Sequence, residues 1–246
     1  MTIPRDQIAN MPAFSPYYPP LPARYRNVRI QIVCFRADPG ALDRVLPWCF
    51  EPDPDGNCAA IGIDATWTAN YGGFLESVLT VKCSYRGQPG YFAPIAFLNS
   101  KSSIPAGREI YGTPKVYSDI RVGMDERVMY TDTRLAGASI LAIRSTMHRA
   151  ADPESLPAMA PSWRLKAIPR VDGKGFDVLQ VIDGAKCSSD VTVHVCRAGD
   201  GVVQFDPSPI YDLTDFAPRE YLGAYYMETD YTEGFAEIVH DFLKES

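Results

Sequence analysis

The sequence predicts a mainly β, α+β protein: a single, largely antiparallel β domain with one helix near its C-terminal end. Three observations lead there. Many short stretches alternate apolar and polar residues with a period of two. Clusters of Gly, Pro, Asn and Asp separate them, with no linker-like segment between. Only one long stretch, close to the end, carries a helical period, and many strands with short turns pack as one sheet-based domain. A length of 246 residues is ample for a single β domain with a sizeable core.

Taken in order, residues 1–24 hold six prolines, at 4, 12, 16, 19, 20 and 22. They deny the segment regular structure and predict an extended arm over the body or a neighbouring subunit, ahead of a folded domain at 25–246. V-R-I-Q-I-V-C-F (28–35) alternates as a strand. Asp38 and Pro39 supply the N-cap and first-turn proline of a short helix. The turn P-D-P-D-G-N (52–57) leads into a strand from Ala59 to Trp67. Phe74 to Tyr85 has strand length and β-branched enrichment; Phe74, Glu76, Val78 and Thr80 share one face, and a carboxylate between Phe and Val suits a polar-tipped cavity. Further strands are expected at 91–98, 116–123, 127–135, 138–148, 176–186 and 190–205. The terminal helix starts at Thr232 as N-cap and places Phe235, Ile238, Val239, Phe242 and Leu243 on one stripe.

Composition excludes several roles. Hydrophobic residues at 46% and charged residues at 22% are globular values, and a net charge of −6 lacks the basic stripe a nucleic-acid partner requires. No apolar run reaches the ~18 residues of a membrane span, and no charged-then-apolar leader opens the chain, so a cytoplasmic protein without a membrane partner is expected. The cysteines at 34, 49, 58, 83, 187 and 196 form no C-x-x-C pair and have no histidine at ligand spacing, which predicts reduced thiols and no metal. His148, His194 and His240 read as structural, His194 on a strand and His240 on the terminal helix.

One stretch resists a bland reading. In G-R-E-I-Y-G-T-P-K-V-Y-S-D-I (107–120), Lys115 follows a Gly-Thr-Pro turn among apolar and aromatic neighbours. It is either an ordinary loop cation or a reactive amine, because an ammonium is cheap in water and costly in an apolar pocket.

G-R-E-I-Y-G-T-P-K resembles the active-site stretch of the acetoacetate decarboxylase family, whose lysine forms a Schiff base with a keto acid. F-R-A-D (35–38), F-L-E around Glu76, L-K-A-I-P (165–169), A-K-C-S-S-D-V-T-V-H (185–194) and A-E-I-V-H-D-F-L-K (236–244) extend the likeness over nearly the whole chain. The resemblance implies a sheet closed into a β-barrel or cone, a large homo-oligomer, Lys115 as nucleophile and Glu76 as general acid/base. It implies no cofactor, the covalent lysine imine serving instead. An ordinary lysine, with a pKa of about 10.4, is neutral in roughly one molecule in 2,500 at pH 7, and only the neutral amine attacks a carbonyl. Burial or a neighbouring cation lowers that value, for which this family is a standard illustration.

Departures from the family's pattern are equally informative. The decarboxylases carry a second lysine directly after the nucleophile, where this chain has Val116. Their arginine falls at Val28, with Arg26 and Arg29 as shifted candidates, and their first acidic residue falls at Ile61, with Asp64 the nearest carboxylate. A site stripped of these charges is more similar to the branch that uses the same lysine for aldol condensation and dehydration of 2-oxo acids. In that branch a C-terminal tyrosine enters the site, which points to Tyr225 or Tyr226, with Tyr226 expected inward. Tyr111, Phe74 and Phe97 are expected to line the pocket. Arg108 and Glu109 either bind substrate or pair with one another. The expected function is a Schiff-base lyase of a small oxo acid; its alternatives are acetoacetate decarboxylation and, from another class, a non-catalytic barrel that holds a small carbonyl compound.

Overall fold

The alternating stretches fold as strands, in chain order. The computed structural model describes residues 2–157 and 159–244. They run β1 (Ala23–Arg36), α1 (Pro39–Asp43), β2 (Glu51–Pro52), β3 (Asn57–Ala65), β4 (Trp67–Thr68), β5 (Phe74–Tyr85) and β6 (Gln88–Leu98). Next come α2 (Ser103–Tyr111), β7 (Lys115–Tyr117), β8 (Asp119–Asp125), β9 (Val128–Leu135), β10 (Ala138–Thr146) and β11 (Arg149–Ala150). The chain continues through β12 (Ser162–Pro169), β13 (Phe176–Asp183), β14 (Ser188–Gly199), β15 (Gly201–Phe205), β16 (Glu220–Glu233) and β17 (Glu237–Asp241). The Asp38 carboxylate caps α1 by accepting the Gly40 N–H, as its sequence requires.

A large sheet has the hydrogen-bonded order β11-β14-β16-β1-β3-β5-β6-β12-β13-β17, with β2, β4 and β7 attached to it. Its pairs are antiparallel except β6 with β12 and β6 with β7, which are parallel. A four-stranded sheet, β15-β10-β9-β8, covers one face. Between the two lie Val33, Phe35, Leu79, Val81, Phe97, Leu141 and Ile143, all buried and together forming the principal core. Gln31 pins the layers: its amide donates to Met129 O (2.9 Å) and Ser145 Oγ (2.7 Å) and accepts from Thr131 Oγ1 (2.8 Å). A buried amide satisfied on this scale fixes one relative setting of the sheets.

The expected closure into a barrel does not occur. β11 and β17 end the series unpaired on their outer edges. β11 is two residues long and runs into the proline-bearing segment with Pro153, Pro157 and Pro161, while β17 stops in a turn where Asp241 accepts the Leu243 N–H. Short, proline-flanked edges resist further pairing.

The predicted C-terminal helix is also overturned. Thr232 and Glu233 end β16, and Glu237–Asp241 pairs antiparallel with β13, Val181 opposite His240 and Ile182 opposite Ile238. The apolar stripe at helical spacing competes with the open edge of β13, and the β-branched Ile238 and Val239 take the edge. Among the described residues the one sizeable helix is α2, in a stretch where no helix was expected.

Residues 2–22 contain no strand but do form one 3-10 turn, at Arg5–Gln7, which the prolines were expected to prevent. The segment is tied down at Tyr18, whose hydroxyl donates to Glu109 Oε2 on α2 (2.6 Å). All six cysteines are free thiols; burial pushes Cys58 and Cys83 up to about 12, so they stay protonated and inert. Among the described residues no helix is long and apolar enough to cross a membrane.

Candidate active site

The lysine stretch folds as helix, glycine cap, then strand. Ser100 Oγ accepts the Ser103 N–H at the start of α2, Pro105 sits in the first turn where a missing N–H costs nothing, and Gly112 closes the helix at φ 69°. Lys115 then opens β7, beside Ala96 of β6. Its side chain runs back across α2 over Gly107: a Cβ there would stand 2.5 Å from Lys115 Cδ and 2.8 Å from Cε. Only a glycine lets the amine pass, which explains why the lysine needs that residue one turn before the helix ends.

Lys115 Nζ donates to Ser103 Oγ at 3.0 Å, lies 3.8 Å from Glu76 Oε2 and sits 5.7 Å from the Phe74 ring centre. The two charged side chains are 13% and 10% exposed, so the pair is nearly withdrawn from water. The amine faces a cavity of about 230 Å³ on the face of the large sheet opposite the four-stranded one. Phe74, Glu76, Val78 and Thr80 of β5 line it together, as period two requires, with Ile61 and Ile63 of β3 beside them. Tyr111 from α2 and Ser162 and Arg164 from β12 form another wall.

Tyr25 of β1 and Tyr231 and Glu233 of β16 line the cavity as well. The two rings stack at 4.5 Å, and Tyr25 OH donates to Glu233 Oε2 at 2.8 Å. Tyr111 OH donates to Gly234 O at 2.6 Å. Burial raises all three phenols well above their ordinary range, Glu233's charge adding to it, so each remains a hydrogen-bond donor. With Tyr91 of β6, the lining therefore brings together two glutamates, a lysine, an arginine and four tyrosines.

Several expected residues lie elsewhere, each for a reason of parity or pairing. Tyr226 points to the other face of β16, where its hydroxyl donates to Glu228 Oε1 at 2.5 Å beside His148 and Arg197. Tyr225 is on the cavity-side face but packs on Ile32, Cys34 and Ala59. The tyrosine that enters is Tyr231, six residues on and of the same parity as Tyr225. Phe97, adjacent to Ala96 on β6, faces the inter-sheet core. Val116, adjacent to Lys115, is half-buried against that same core. Asp64 faces away from Ile63 and is ion-paired with Arg29, while Arg26 pairs with Asp230 at 3.7 Å, so none of these three enters the cavity. Val28 is buried with Tyr25 and Phe74. Arg108 lies outside, donating to Lys115 O at 3.2 Å, and Glu109 holds Tyr18.

Sequence reasoning missed Tyr25, Tyr231, Glu233 and Arg164. Parity in β16 was a usable signal for Tyr231; the others arrive from strands distant in sequence.

Comparison with known proteins gives a consistent picture. A family profile described as acetoacetate decarboxylase (ADC) matches residues 10–243. Acetoacetate decarboxylase 3 of Mesorhizobium japonicum is 28% identical over 242 residues, covering 96% of this chain and 91% of its own. The acetoacetate decarboxylase of Acidiphilium cryptum is 28% identical over 244 residues, covering 97% of each. The crystal structure of acetoacetate decarboxylase from Legionella pneumophila superposes with a TM-score of 0.87 at 25% identity, over 97% of this chain and 96% of that one.

Proposed function

This chain belongs to the acetoacetate decarboxylase family, and from that premise we propose that it is a lyase that forms an imine between Lys115 and a small oxo acid. The observation that carries the reading is the Lys115 amine held 3.8 Å from Glu76 inside a cavity of about 230 Å³. The amine adds to the substrate carbonyl carbon. A proton delivered to the carbonyl oxygen lets it leave as water, and a protonated imine remains. That cation draws in the electron pair of an adjacent bond to give an enamine. If the bond is to a carboxylate, carbon dioxide leaves; if it is to hydrogen, a carboxylate of the site takes the proton. The enamine then takes up a proton, or adds to a second carbonyl whose oxygen is later lost as water. Hydrolysis frees the amine.

Condensation and dehydration need both an acid and a base, and Glu76 and Glu233, with the tyrosines that line the same cavity, supply that inventory. The loss of charge implied by Val28 and Ile61 is thus offset from β12 and β16. Acetoacetate decarboxylation is the second reading, favoured by the names of the relatives. Incubation with pyruvate or with acetoacetate, borohydride reduction and intact-mass measurement test the imine. A reduced adduct on the Lys115 peptide is expected; no adduct with either compound leaves a non-catalytic protein that holds a small carbonyl compound as the better reading. Carbon dioxide release from acetoacetate separates the two chemistries.

Two substitutions probe the lysine's setting. Gly107→Ala puts a methyl group into the path of the Lys115 stem, so borohydride trapping should slow at least tenfold while stability falls by about 1–3 kcal/mol; unaltered trapping would show the stem free to take another route. Val116→Lys sends its charge into the inter-sheet core rather than toward the amine. It should cost roughly 1–3 kcal/mol in urea unfolding and yield no efficient decarboxylase. Strong carbon dioxide release by that variant alone would mean that one absent cation explained the difference.

A further inference from the structure

Arg164 lines the cavity from β12, yet its guanidinium has no hydrogen-bond or ion-pair partner among the described residues. The carboxylates nearby are all engaged. Glu233 takes Tyr25, Glu76 faces Lys115, and Asp183 accepts the Ser162 and Ala185 amides at 3.0 Å each. The fold nevertheless makes room for the group. Its Cζ lies 5.4 Å from the Tyr111 ring centre, and a Cβ on Gly184 would stand 2.3 Å from Cζ and Nε. An arginine stacked on a phenol and seated against a glycine is oriented, and its donors are left for a guest.

Its placement relative to the amine is also defined. Lys115 crosses α2 at Gly107 and Arg164 lies over Tyr111, four residues on along the same helix. Amine and guanidinium therefore reach the same cavity beside α2, as a molecule carrying both a carbonyl and an anion requires.

We infer that Arg164 binds the carboxylate of the substrate and so makes the cavity selective for oxo acids over neutral ketones and aldehydes. The planar fork matches a carboxylate's two oxygens, and a charge-assisted pair inside a cavity discriminates strongly against a neutral isostere. That the anion is the substrate's own rests on the imine-forming reading above; anion binding itself does not.

The test uses oxamate, an amide analogue of a 2-oxo acid that forms no imine, titrated calorimetrically into the full chain. Wild type should bind it, Arg164→Leu should bind at least tenfold more weakly, and Arg164→Lys should recover part of the loss. Arg164→Gln carries the same expectation as leucine should leucine fail to pack. Equal binding by wild type and both uncharged variants overturns the assignment, as does no binding by wild type. Borohydride trapping is read separately. Its failure removes the lyase reading while oxamate binding still judges Arg164, and trapping without oxamate discrimination removes Arg164 alone.

Discussion

Replacing Lys115 by alanine should give a folded protein that traps no carbonyl compound under borohydride, in pyruvate or in acetoacetate. The expected loss is complete, because the amine is a reactant and nothing else in the cavity replaces it: the other cation there is an arginine, which stays protonated. The fold should survive with a lower melting temperature, since the lysine's partners are only one hydroxyl at 3.0 Å and one carboxylate at 3.8 Å, and alanine leaves Glu76 without its counter-ion. Intact mass after reduction and a thermal unfolding curve check both halves. An adduct persisting in the variant would assign the chemistry to another lysine. Lys82 pairs with Asp53 at 3.1 Å, Lys101 is exposed and Lys166 donates to Ile110 O, so each would have to act outside this cavity.

Glu76→Gln should keep imine trapping and lose turnover by about 10²–10⁴-fold, the usual contribution of a positioned acid or base. Glutamine preserves the shape of a buried position on β5 opposite Ile63, so the walls of the cavity stay in register. What it removes is the capacity to take and return a proton. Single-turnover trapping against steady-state product formation separates the two steps. Unchanged turnover would make Glu76 a structural counter-ion and pass the proton work to Glu233.

The fold was legible wherever one face of a strand is buried and the other is not. Phe74–Tyr85 was readable to the residue because its two faces meet different environments, the cavity on one side and the inter-sheet core on the other. The same parity placed Phe74, Glu76, Val78 and Thr80 together. It was not applied to Lys115 and Val116, or to Ala96 and Phe97, where neighbours in sequence go to opposite sides. α2 was hidden because its serines, proline and glycine are turn-formers by composition. Ser100, the first-turn position of Pro105 and the space over Gly107 make them helix-compatible only in context. The β17 segment misled in the opposite sense: its helical stripe is real, and an unpaired strand edge outweighs it. Tyr25, Arg164 and Glu233 left no local trace, because what defines them is convergence of β1, β12 and β16 on one space.

The position of β16 has a consequence for how the protein is made. Lys115 and Glu76 leave the ribosome well before Tyr231 and Glu233, and until β16 docks, one flank of β1 is a bare edge. The cavity is thus closed off only by the late pairing of β16 between β1 and β14, when nearly all of the sheet is in place.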